Sequence, residues 1–61
     1  MKRGEDLIQD LRKQGFMRCE TTKDGKAVIM RKRDRWTVVP LRWLTDDAVD
    51  TIKAQAGISL V

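Results

Sequence analysis

Two breaks between Phe16 and Pro40 constrain this chain more than any other feature. At Lys23-Asp24-Gly25-Lys26, and again at Asp34-Arg35, strand formers give way to turn formers for only a few positions. Connections this short join neighbouring strands antiparallel, because a parallel return needs a crossover of roughly a dozen residues or more. Residues 16–22, 27–33 and 36–39 are therefore expected to form a three-stranded antiparallel meander. β-branched and aromatic content supports the two later strands. Gly25 can supply the positive φ of the first turn. Pro40 has no N–H to donate and ends the ladder.

Helical patterns flank the meander. Over residues 5–14, Leu7, Ile8 and Leu11 share one face, Glu5, Asp6 and Asp10 favour the start, and Arg12 and Lys13 suit the end. Gly15 is placed to act as C′. A second helix opens on Thr45 as N-cap, with Asp46 and Asp47 in its first turn. Ala48, Val49, Ile52 and Ala56 make its apolar face, and Gly57 stops it. The expected fold class is α+β, in the order α-β-β-β-α, with both helices on one face of the sheet and the other face open.

A chain of 61 residues makes one domain, residues 1–61, and buries roughly 60% of its unfolded surface. No disulfide can staple it, because Cys19 is alone; its place in an alternating pattern predicts a buried thiol in a reducing compartment. With a single cysteine and no histidine, the usual zinc sites are excluded and no cofactor is implied. Met1-Lys2-Arg3-Gly4 is followed by acids, so neither a signal peptide nor a membrane span is expected, and a cytoplasmic location is.

Charge is spread unevenly. The net charge is +4, yet between Arg12 and Arg42 ten bases stand against Glu20, Asp24 and Asp34 alone. A basic middle between acidic helices fits a surface for phosphates, and equally a solvated strand face. Pleat alternation sends Val28, Met30 and Lys32 one way, and Ala27, Ile29, Arg31 and Arg33 the other. With Val28 and Met30 under the helices, Ala27 comes to the open face, in a row with Arg31 and Arg33. Ile29 is then an exposed apolar spot suited to partner contact.

Two stretches carry a resemblance to a known family. Met1-Lys2 through Gly15-Phe16 looks like the opening of HicA-type (YcfA-like) toxins. Val38-Val39-Pro40, followed by Thr51-Ile52-Lys53-Ala54-Gln55-Ala56-Gly57-Ile58, is similar to that family's third strand and terminal helix. The resemblance implies a double-stranded-RNA-binding-like fold, metal-independent cleavage of mRNA by an endoribonuclease, and neutralisation by a HicB-type antitoxin. The family's catalytic histidine belongs to a Gly-Ser-His motif at the start of the second strand. Here the matching residues are Gly25-Lys26-Ala27.

That departure falls on the residue that activity needs. Cleaving RNA through its own 2′-hydroxyl requires a base for that proton and an acid for the leaving oxygen, and histidine suits both roles near neutrality. Alanine exchanges no proton, a loss worth on the order of 10²–10⁴ in rate. Lys26 can bind phosphate, but acts as a base only with a strongly depressed pKa. Ala27 is then either an introduced His→Ala change that disarms a toxin, or native to a relative that binds without cutting.

The resemblance and the charge pattern nominate Lys23, Gly25, Lys26, Arg31 and Arg33 for RNA binding. Lys32 and Arg35 fit charge that keeps an edge soluble. Trp36 is expected in the core, and Trp43 exposed to a partner. Asp24 and Asp34 read as turn residues that bond their own backbone. The leading expectation is an inactive HicA-like toxin. The alternatives are a non-catalytic module that binds RNA or protein through the open face, and a small phage-type inhibitor with no nucleic-acid role.

Overall fold

The computed structural model describes residues 1–58. Its elements run β1 (Lys2–Arg3), α1 (Gly4–Lys13), β2 (Met17–Thr21), β3 (Ala27–Lys32), β4 (Arg35–Pro40), β5 (Trp43–Leu44) and α2 (Asp46–Gln55). β2, β3 and β4 form the expected antiparallel meander with β3 in the middle. A second sheet, not foreseen from the sequence, pairs Lys2 with Leu44 and Arg3 with Trp43. No helix among the described residues is long and apolar enough to cross a membrane.

Both helices stop by the same device. Gly15 and Gly57 take positive φ. Their N–H groups reach back to Arg12 and Ala54, while those of Phe16 and Ile58 reach Leu11 and Lys53. This is the Schellman pattern, which satisfies the last orphan carbonyls. At the other ends the helices differ. Thr45 caps α2, its hydroxyl accepting from the Ala48 N–H at 3.2 Å. Arg3 gives α1 no side-chain cap. Instead the Gly4 N–H donates to the Arg42 carbonyl at 2.8 Å, so the segment that leads into β5 caps α1.

The core lies between the helices and one face of the meander. Leu7, Ile8 and Leu11 of α1, Val49 and Ile52 of α2, and Val28, Met30 and Val39 of the sheet are buried together with Phe16, Leu44 and Ala56. Thr37 shares this face and is fully buried. Its hydroxyl lies 3.2 Å from both the Ile52 carbonyl and the Gln55 side-chain oxygen, so its one proton ties β4 to α2 through either acceptor.

Four local expectations are corrected. Cys19 is exposed, because β2 is an edge strand and Cys19 sits at an irregularity between Arg18 and Glu20. Trp36 is 52% exposed, since its pairing with Arg31 places it on the face away from Val28 and Met30. The second turn is Arg33-Asp34, with Arg33 at φ 56°, and Arg35 already belongs to β4. Arg33 is therefore in the turn and out of the strand row. Phe16 precedes its strand and is buried at the end of α1.

Candidate functional site on the open sheet face

Neither helix covers the second face of the meander, and the register sorts its residues into three rows. Ala27 stands beside Pro40; Glu20, Ile29 and Val38 lie across the centre; Met17, Arg31 and Trp36 lie across the far end. Ala27, Ile29, Val38 and Pro40 are half-buried, while Met17 and Trp36 are 71% and 52% exposed. The irregularity at Cys19 creates the pattern on β2. Arg18 faces the helices and lies 3.8 Å from Glu5, whereas Glu20, two residues on, faces the open side opposite Ile29.

Ala27 is where the sequence places it, on the uncovered face at the first residue of the central strand. The turn before it is bonded throughout. The Thr22 hydroxyl donates to Asp24 Oδ1 at 2.6 Å and accepts from the Ala27 N–H at 3.2 Å. The Lys26 N–H donates to the same Asp24 oxygen at 2.9 Å. The Thr22 hydroxyl, and then the Lys26 N–H, hold the Asp24 carboxyl below its usual range. Asp24 is thus an ionised turn residue, committed to its own backbone. It is no substitute for an imidazole at neutral pH. Gly25 takes φ 72°, with open space where a side chain would stand.

The five residues nominated for RNA binding do not form one cluster. Lys23, Gly25 and Lys26 flank Ala27 at one end of β3, and Arg33 lies in the turn at the other end. Six residues of strand separate these ends, roughly 20 Å at the usual rise. Arg31 alone of the five lies within the face, in the Trp36 row.

The basic run from Arg31 to Arg35 is divided further. Lys32 turns to the helix side and donates from Nζ to the Gln14 carbonyl at 2.7 Å, at the C-terminal end of α1. The Arg35 guanidinium lies against Gly57, just past the C-terminal end of α2. Cations at helix C-termini offset the negative end of the dipole. Lys32 is therefore bonded to the end of α1 and Arg35 lies beside the end of α2, which charge counting could not reveal. A cleft of about 400 Å³ between these residues, Gln14, Phe16 and Ile58 is open to solvent.

Trp43 is 59% exposed, as expected, but on β5 and outside the meander. No group of three metal-ligating side chains is present among the described residues. The apolar residues of the open face lie on three different strands, so that only strand register brings Met17, Val38 and Trp36 to the same face as Ile29. Period-two alternation through Trp36 and Val38 carries the β4 part of that signal. The chain matches no family model, no curated protein and no solved structure.

Proposed function

We propose that this chain is a HicA-like domain that presents an RNA-facing sheet surface without the proton-transfer group of a ribonuclease, so that it engages mRNA and does not cut it. The observation that carries this reading is the placement of Ala27. Its methyl group is on the uncovered face, directly after Gly25-Lys26, at the start of the central strand of the β2-β3-β4 meander. The resemblance puts the family histidine at that position. Asp24, the one acid in the adjoining turn, is bonded to Thr22 and Lys26 and has no free role in proton transfer.

In this reading Lys23 and Lys26 contact phosphates beside Ala27, and Arg31 lies farther along the strand path. Recognition would rest on contacts to the phosphate backbone, which carry affinity and salt dependence without reading sequence. A HicB-type antitoxin would cover the same face, and a cytoplasmic location follows from the same reading. Affinity for a short single-stranded RNA, followed by anisotropy across a salt series, tests it. Binding is expected to weaken linearly in log–log form, with a slope of about −0.7 per phosphate contact. Replacing both Lys23 and Lys26 by alanine should flatten that slope by about 1.4. An unchanged slope, or no affinity at low salt, would contradict the reading.

A second reading is favoured by a separate observation, the apolar character of the same face. Ile29, Val38, Met17 and Trp36 place apolar residues on the uncovered face from all three strands. That composition suits a protein partner.

A further inference from the structure

We infer that the row Met17–Arg31–Trp36 is the centre of a protein-docking surface, and that its partner presents apolar side chains flanked by carboxylates. The three residues are cross-strand neighbours, Met17 opposite Arg31 and Arg31 opposite Trp36. Methionine, arginine and tryptophan are among the types enriched at the centres of protein interfaces, and tryptophan and arginine dominate their energetic hot spots. Ile29 and Val38 extend the apolar surface in the next row.

Charge chooses the occupant. Within the face Arg31 is opposed by Glu20 alone, while Lys23 and Lys26 stand at one end and Arg33 at the other. Asp24 is already bonded within its turn. A second copy would set this basic surrounding against its own image, on a chain whose net charge is +4. An acidic partner meets no such repulsion. Nucleic acid is also acidic, but the cations proposed for phosphate lie toward the ends of the face, and Glu20, Ile29 and Val38 lie across its centre. A strand of phosphates along these rows would meet one guanidinium, one carboxylate and four hydrophobic side chains.

This inference rests on the protein-partner reading above and deepens it, by naming the partner's chemistry and the row on which it centres. Selection of short random peptides displayed on phage against the intact chain tests it. Enriched sequences are expected to combine Asp or Glu with large apolar residues. Their affinity should fall roughly tenfold or more in Trp36→Ala and in Arg31→Glu. It should be retained in Trp43→Ala, which removes an equally exposed indole elsewhere. All of these positions are exposed, and circular dichroism verifies that each variant is folded. Absence of enrichment, or peptides that bind Trp36→Ala as well as the parent, would overturn the inference. So would single-stranded RNA binding through Trp36 with no peptide selected, which would assign the row to base stacking.

Discussion

Gly4 and Gly25 differ in what a methyl group would meet. A Cβ at Gly4 runs into the carbonyl of Pro40, which is backbone and cannot swing aside, whereas a Cβ at Gly25 meets open space. Gly4→Ala is therefore expected to destabilise by about 3 kcal/mol, near the whole stability of so small a domain. Gly25→Ala should cost about 1 kcal/mol, the strain of a left-handed backbone alone. Urea unfolding of both variants checks the order, and equal losses would contradict it. Only one of the two glycines could be read in advance. Gly25 declares itself through Asp24 beside it, but the constraint on Gly4 comes from Pro40, which is distant in sequence. The same distinction explains Trp36 and Cys19. Hydrophobicity alone sends both inward, and only the pairing of their strands reveals which face or edge they occupy.

At the scale of elements, the basic run Arg31–Arg35 shows how pleat and turn disperse charges that are contiguous in sequence. Arg31 goes to the open face, Lys32 to the end of α1, Arg33 to the turn and Arg35 to the end of α2. Lys32→Met should therefore lower stability by about 0.5–1 kcal/mol through loss of the bond to Gln14, and leave RNA affinity unchanged. Thermal unfolding and the RNA titration read the two effects separately. An RNA affinity that falls as in the Lys23/Lys26 variant would place Lys32 on the binding surface instead. Both helices, the three strands and their order were legible because periodicity, caps and turns agreed. The hairpin at Arg33-Asp34 was displaced by one residue, because a left-handed arginine carries no compositional mark. The pair β1–β5 was invisible, since two-residue strands have no period to read.

At the scale of the whole molecule, the division between faces organises everything else. One face of the meander carries the core, tied to α2 through Thr37, and the other displays Ala27 at one end and the Met17–Arg31–Trp36 row at the other. A domain near the lower size limit for folding without staples leaves this much sheet uncovered, and that surface is where function is expected. The sequence located the face and position 27 on it, through the alternation of Val28 and Met30. Alternation through Trp36 and Val38 carries the apolar character of the face on β4, whereas which residues β2 adds to it depends on the irregularity at Cys19 and so on strand pairing.

The most direct test of the claim that this face is a ribonuclease surface without its imidazole is Ala27→His. RNA cleavage is measured with chelator present, across the pH range in which histidine titrates. The account predicts cleavage in the variant that is absent from the parent, insensitive to chelation, and dependent on a group titrating near pH ~6.5. A folded Ala27→His protein that binds RNA as the parent does, yet leaves it intact at every pH, would contradict it.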